Sequence, residues 1–550
     1  MLGLMQQRPL TLPQVIDRAG SLFASKTVTT ATVEGESTAT FAEVVERIGR
    51  LAGVLDALEV PAEARVGTFG WNSQRHVELY LAVPCSGRVL HTVNHRLFAE
   101  QIEFIVNDAA DVVIFVDRSI LEVIWPLVER FTTVRHVIVM DDGGPAPLPD
   151  DPRVHDYETL LAAATPTAPA ALDEDQAAAL CYTSGTTANP KGVHYSHRSV
   201  LLHALLCTMT DSFAIGERDV VMPIVPMFHV NAWGLPYTAL LTGANLVLPG
   251  PTMTGPALLD QMRRHRVSFG AAVATIWRMI APLLAESNLP GLRMLVCGGG
   301  AVPDALSAQW QQATGVPLTN AWGMTETSPV VTCSRLATVH QGLDEDARRA
   351  VLGTPGPPLP LTAIRVLDDD GIPVPWDGAT PGELQAAGPT IAASYFGADG
   401  PDDAFTDDGW LRTGDVAALD ALGYLHIVDR IKDLVKSGGE WISSVTLENE
   451  IMAHPAITEA AVIGEPHDRW GERPVAYVVA EKDATVTSEQ VRDHLAGRVA
   501  SWWIPETIHF IDQIPKTATG KFSKKTLREH RPLETPTRPA AAGHPVKEDA

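Results

Sequence analysis

From the N-terminus to about residue 430, short β-rich apolar runs alternate with stretches of helical periodicity. This alternation restricts what the chain can fold into more than any other feature. RVGTFGWN, ADVVIFVD and RHVIVMDD each read as a strand closed by Gly, Asn or Asp, and NLVLPG, HRVSFGAAV and LRMLVCGGG repeat the signal. Between the early strands lies FAEVVERIGRLAGVLDALEV, apolar at Phe41, Val44, Val45, Ile48, Leu51 and Leu55, a helical period. Strands alternating with helices predict α/β layers built on largely parallel sheets. Near Leu361 to Ile427 the texture changes to Pro, Gly and Asp with short strands such as TAIRVL, which predicts a small β-rich unit over about residues 355–428. After Arg430 it changes again: LENEIMAHP reads as a short helix, AAVIG and PVAYVVAE as strands. TSEQVRDHLAG opens a helix with Thr487 and Gln490 at capping-box spacing. The expected organisation is a large α/β domain over 1–430, a small α+β domain over 434–530, and a disordered Pro- and Ala-rich tail over 531–550.

Composition narrows the function classes. A chain of 550 residues that is 45% apolar can bury its cores without disulfides or structural metals. A net charge of −24 argues against nucleic acid and against an anionic membrane surface as general partners. It leaves room for an anionic small molecule held in a local basic pocket. Cys85, Cys181, Cys207, Cys297 and Cys333 are odd in number and widely spaced, the pattern of core thiols in a reducing compartment. The opening MLGLMQQRPLTLP lacks a basic segment followed by an apolar run, and no apolar window of about 18 residues occurs. A soluble cytoplasmic protein without a transmembrane segment is therefore expected.

The chemistry concentrates in Tyr182-Thr183-Ser184-Gly185-Thr186-Thr187-Ala188-Asn189-Pro190-Lys191-Gly192, directly after the strand-like AAALC. Four hydroxyls, glycines and one Lys suit a polyphosphate, because hydroxyls and main-chain N–H groups donate to phosphate oxygens and Lys adds a point charge. It is not a Walker A loop, since Pro190 stands where that motif needs Gly before Lys. His194, His197 and His203 lack a nearby carboxylate or Cys to complete a ligand set and read as ordinary residues.

The run resembles the signature of the adenylate-forming superfamily, which comprises acyl-CoA synthetases, peptide-synthetase adenylation domains and luciferases. Further motifs follow in the order of that family: Cys297 to Pro303, Asn320 to Thr327, Trp410 to Asp415, Asp429 to Glu440, and Pro515 to Lys521. Pro226-Met227-Phe228-His229-Val230-Asn231-Ala232-Trp233-Gly234 and Gly438-Gly439-Glu440-Trp441-Ile442-Ser443 most resemble medium- and long-chain fatty-acid–CoA ligases and methylmercaptopropionate–CoA ligases.

The resemblance implies two steps. A carboxylate attacks the α-phosphate of ATP to give acyl-AMP and pyrophosphate, and coenzyme A then takes the acyl group as AMP leaves. It implies Lys521 between the carboxylate and the α-phosphate, with Lys191 and Lys436 as further catalytic cations. Glu326 with Thr183 would hold Mg²⁺. Thr183, Ser184, Gly185, Thr186, Thr187 and Lys191 would take the phosphates. Trp322 would stack on adenine, with Gly299, Gly300, Asn320, Ala321, Gly323 and Thr325 around it. Asp415 would accept both ribose hydroxyls, with Arg430, Lys432 and Lys436 supporting the nucleotide. His229, Val230, Trp233 and Gly300 would wall the acyl pocket, with Trp233 at its gate. Gly438, Gly439, Glu440 and Trp441 would line the coenzyme A channel. A hinge over 431–433 would make the small domain mobile, and a homodimer is among the assemblies the family shows. Two departures bear on the substrate: Ala188 where the family usually has Gly, and Gly300 where Ser or Ala is common. The rival readings are an aryl-acid–CoA ligase and an adenylating enzyme with another second step, such as ATP-dependent diazotisation of an arylamine with nitrite.

Overall fold

The computed structural model describes residues 3–183, 189–286, 289–398, 400, 402–437, 440–481, 484–516 and 522–529. The tail over 531–550 lies outside them. The chain forms two compact units. The first takes the described residues up to Thr380, together with Leu384–Thr413 and Leu419–His426. The second takes Pro381–Glu383, Gly414–Ala418 and the described residues from Ile427 onward.

The first unit carries two large mixed sheets. The seven-stranded sheet runs, in spatial order, Val154–Asp156, His136–Met140, Val113–Asp117, Arg65–Phe69, Val89–Thr92, Ala177–Tyr182 and Gly192–Ser196. All its pairings are parallel except the last, where Gly192–Ser196 returns antiparallel beside Ala177–Tyr182. The eight-stranded sheet runs Val330–Cys333, Leu318–Gly323, Met294–Gly298, Phe269–Ala272, Val220–Pro223, Asn245–Leu248, Thr27–Ala31 and Glu36–Thr40. It is parallel inside and antiparallel at both edges. Parallel strands need covered faces, and their near-continuous burial agrees: every residue of Val113–Asp117 and of Phe269–Ala272 is buried.

The covering helices are the amphipathic ones read in the sequence. Phe41–Ala57 starts at a capping box in which Thr40 and Glu43 satisfy each other's main-chain N–H, an arrangement worth about 1 kcal/mol. Its Val44, Ile48, Leu51 and Leu55 are buried in the main core. The Pro-, Gly- and Asp-rich stretch carries the short strands Ala363–Leu367, Gly382–Ala387, Leu411–Leu419 and Leu425–Arg430.

In the second unit the long strands Ile457–His467 and Gly471–Ala480 pair antiparallel, and Thr507–Phe510 joins the latter in parallel. Helix Ser444–Met452 places Leu447 and Ile451 in its core. Helix Ser488–Leu495 begins at the Thr487–Gln490 capping box read in the sequence. No described helix is long and apolar enough to cross a membrane.

Candidate active site

The phosphate-loop candidate is the turn between two paired strands. Tyr182 pairs with Gly192 across it. Its neck is closed by the Thr183 N–H donating to the Lys191 carbonyl (2.9 Å) and the Lys191 N–H donating to Thr183 Oγ1 (3.0 Å). Ser184, Gly185, Thr186 and Thr187 lie outside the described residues, as does Ala188. Lys191 sends its ammonium 2.8 Å from Asp402 Oδ2 and 4.3 Å from the centre of the Tyr395 ring.

The metal-carboxylate candidate sits on a one-turn 3₁₀ segment, Thr325–Thr327, which connects strand Leu318–Gly323 to the edge strand Val330–Cys333 of the eight-stranded sheet. Glu326 is buried, only 6% exposed. The turn is fastened at two main-chain points: Tyr195 donates its hydroxyl to the Thr325 carbonyl (2.6 Å), and the Ala392 N–H donates to the Glu326 carbonyl (2.8 Å). The carboxylate accepts the Tyr395 hydroxyl at Oε1 (2.5 Å). Among the described residues no cluster of three or more acidic, His or Cys side chains forms a protein-only metal cage. A single buried carboxylate fits Mg²⁺, which takes one or two carboxylates alongside substrate phosphates and water. The structure therefore brings Lys191 and Glu326 into one cluster through Tyr395, which no sequence motif marked.

The nucleotide-base candidates line the neighbouring strand ends. Asn320 and Ala321 are buried on Leu318–Gly323, and the Asn320 amide donates to the Gly353 carbonyl (2.9 Å). Trp322 is half-buried. Gly299 takes φ +79°, the left-handed region that favours Gly. A Cβ on Gly300 would meet open space, so the absence of a side chain there leaves room rather than relieving a clash.

The acyl-pocket candidates have an unusual backbone. Val230, Asn231, Ala232 and Trp233 all have φ between 48° and 56°, one turn of left-handed helix made without Gly. Such a backbone costs roughly 1–2 kcal/mol per residue for L-amino acids, and strain of this kind clusters at functional sites. All four residues are buried, while His229 just before them is half-buried. The Trp233 ring lies against Gly298, where an added Cβ would stand 2.6 Å from it. Beside this turn is a cavity of about 10 Å³ lined by Tyr195, Val200, His203, Asn231, Gly234, Tyr237 and Ser328. That volume is roughly enough for one water.

Among the described residues, His194, His197 and His203 belong to no group of three or more potential metal ligands. Burial pulls all three down to about 4, so they are neutral, and His203 Nε2 accepts the Val330 N–H (3.1 Å). All five cysteines are buried and unpaired.

In the second unit Asp415 is buried, with Oδ1 2.7 Å from Arg430 Nε. The ribose-acceptor candidate is thus already partnered by the Arg predicted to reach the nucleotide. Asp429 accepts the N–H and hydroxyl of Ser444 at 2.6 and 2.5 Å. Lys524, half-buried beside them, pairs with Glu448 at 2.8 Å. Lys432 is exposed; its carbonyl accepts Arg528, which also pairs with Asp433 at 2.8 Å. Partial desolvation by its surroundings, then the Arg430 charge, lowers the Lys432 ammonium below its ordinary range. Lys436 projects from Val435–Ser437, opposite Trp441 on Glu440–Ile442. Lys521, Gly438 and Gly439 lie outside the described residues.

A family model described as "AMP-binding enzyme" matches residues 21–396, and one described as "AMP-binding enzyme C-terminal domain" matches residues 446–521. The chain is 43% identical over 531 residues to a long-chain-fatty-acid–CoA ligase of Thermus thermophilus, covering 96% of both chains. It is 40% identical over 537 residues to a 3-methylmercaptopropionyl-CoA ligase of Ruegeria pomeroyi, covering 96% of this chain and 98% of that one. Among solved structures, the anthranilate CoA ligase AuaEII in complex with anthranoyl-AMP superposes with a TM-score of 0.83 at 27% identity, over 96% of this chain and 98% of that one. The two matches fall in both compact units, and the chain belongs to the AMP-binding enzyme family.

Proposed function

We propose that this chain is an ATP-dependent acid–CoA ligase acting on a medium- or long-chain fatty acid. The acid's carboxylate attacks the α-phosphate of ATP, releasing pyrophosphate and leaving acyl-AMP. The coenzyme A thiol then attacks the acyl carbon and AMP departs. The observation that carries this reading is the joining of Lys191 to Glu326 through Tyr395: a phosphate-directed cation and a buried carboxylate converge beside a strand-end loop. The names of the similar proteins, fatty-acid and 3-methylmercaptopropionyl CoA ligases, support the acid and the acceptor.

The site roles follow from that reading. Two anions meet in the first step, and Lys521 is the cation that offsets their repulsion. Glu326 and Thr183 would hold Mg²⁺, which would supply Lewis-acid charge toward the phosphates. Asp415 exchanges Arg430 for the ribose hydroxyls, and Trp322 packs on adenine. His229, Val230, Trp233 and Gly300 bound the acyl group. Lys436, Glu440 and Trp441, with Gly438 and Gly439, serve the thioester step, and residues 431–433 form the hinge between a large domain ending at 430 and a small one over 434–530. The buried, unpaired thiols support a reducing compartment and hence the cytoplasm. A homodimer rests on the family resemblance alone, and sedimentation would read it.

A pyrophosphate-release screen over acids of graded length and aromaticity, with and without coenzyme A, tests the reading. Release with octanoate or longer acids, and thioester on adding coenzyme A, is the expected result. Release with benzoates or cinnamates but not octanoate would move the assignment to an aryl-acid ligase. Release with nitrite, and loss of an arylamine in place of coenzyme A, would move it to diazotisation. No acid-dependent release at all would overturn it.

A further inference from the structure

Tyr395 belongs to none of the sequence motifs, yet it touches both ends of the phosphate and metal machinery. Its hydroxyl donates to Glu326 Oε1 at 2.5 Å, and its ring carries the Lys191 ammonium at 4.3 Å from the centroid. The segment around it is fixed to the same two elements by main chain. The Ala392 N–H donates to the Glu326 carbonyl, and the Phe396 N–H donates to the Gly192 carbonyl, both at 2.8 Å. Phe405 packs edge-on against the Tyr395 ring, with centroids 5.6 Å apart, which limits its rotation. The phenol is therefore a preset donor, delivered by backbone anchors on the Glu326 turn and on the strand leaving the phosphate loop.

We propose that Tyr395 is a positioning residue that sets the orientation of the Glu326 carboxylate for Mg²⁺ and of Lys191 for the phosphates. This rests on the reading of Glu326 as the metal carboxylate. A carboxylate oxygen that accepts a short O–H bond is locked in rotation, which presents the other oxygen in one direction. Outer partners of this kind commonly change metal affinity by 10–100-fold when removed. The ring does a separate task, since a cation over an aromatic face is held without being neutralised.

The test uses the full-length protein with a non-hydrolysable ATP analogue and Mn²⁺, a paramagnetic stand-in for Mg²⁺, with bound Mn²⁺ read by electron paramagnetic resonance. Glu326→Gln should weaken Mn²⁺ binding to the analogue complex about tenfold or more. Tyr395→Phe, which keeps the ring, should weaken it about tenfold while changing metal-free analogue binding less than twofold. Tyr395→Leu should weaken metal-free analogue binding as well, because the face that holds Lys191 is gone. In the Glu326→Gln background, Tyr395→Phe should add nothing. Wild-type Mn²⁺ affinity in Glu326→Gln would overturn the metal reading and the proposal with it. A weakened Glu326→Gln beside an unchanged Tyr395→Phe, or fully additive losses in the double variant, would overturn the proposal alone. Thermal melts of each variant separate these outcomes from unfolding. A Tyr395→Phe protein that melts early with equal losses of metal and nucleotide would also count against it.

Discussion

Asp117 shows how far a single side chain can be driven by its surroundings. It is fully buried, and burial first, then the neighbouring Asp142 charge, raises its carboxyl to about 8. It accepts the Trp71 N–H at 2.6 Å. The folded state thus holds a proton that the unfolded chain releases near its ordinary value, 3.8. Stability from this group is present below that value and is lost as pH rises toward about 8. Asp117→Asn, a mimic of the protonated form, should therefore gain stability over the wild type as pH rises from 5 to 8. The gain should reach at most about 1.4 kcal/mol per pH unit, read as the difference in melting temperature. A constant difference across that range would refute the assignment. Asp402 offers a second residue-level test. It pairs with Lys191 through an exposed bridge, which phosphate would have to displace if Lys191 takes the proposed role. Exposed pairs are worth about 0.2–1 kcal/mol. Asp402→Asn should accordingly tighten ATP binding by about 1.4- to fivefold in titration calorimetry, and equal or weaker binding would exclude the competition.

Among the elements, the Val230–Trp233 turn and the Met294–Gly298 strand meet where the acyl group is expected. Gly298 lies under the Trp233 ring, with no space for a Cβ. Gly298→Ala should displace the ring and change the preference among acids in the same direction as Trp233→Ala, with the constant for ATP changing less than the acid preference in both. Parallel loss with every acid and an earlier melt in Trp233→Ala would mean that the Trp is core packing. The elements also show what the sequence could reveal. The strands at Arg65–Phe69, Val113–Asp117 and Met294–Gly298, and the helix at Phe41–Ala57, were legible because period and capping are local properties. The left-handed turn at Val230–Trp233 was not, since no Gly within it announced positive φ and only surrounding packing imposes it. Thr183, Lys191 and Glu326 were legible as motif residues. Tyr395 was not, because its meaning comes from a contact 69 residues away along the chain. The Asp415–Arg430 pair was half legible: both residues were picked out, but their contact depends on how the middle of Leu411–Leu419 meets the end of Leu425–Arg430.

For the whole molecule, the sequence motifs divide between the two compact units: Lys191 and Glu326 belong to one, Asp415, Arg430 and Lys436 to the other. The two half-reactions are expected to call on different sets of them. Lys432→Pro, which restricts φ at the proposed hinge, should leave pyrophosphate release near wild type and slow thioester formation; wild-type rates in both steps would remove the hinge from this residue. Lys521→Ala should lower acyl-AMP formation by roughly 10²-fold or more, by analogy with loss of one preorganised electrostatic donor. Thioester formation from preformed acyl-AMP should suffer far less. The central claim, that one chain couples an adenylation to a thioester transfer, is tested most directly by a single turnover with a fatty acid, ATP and Mg²⁺, quenched before and after adding coenzyme A. Stoichiometric acyl-AMP and pyrophosphate are expected before the addition, and acyl-CoA with AMP after it. Pyrophosphate that appears only once coenzyme A is present, with no acyl-AMP at any time, would contradict it.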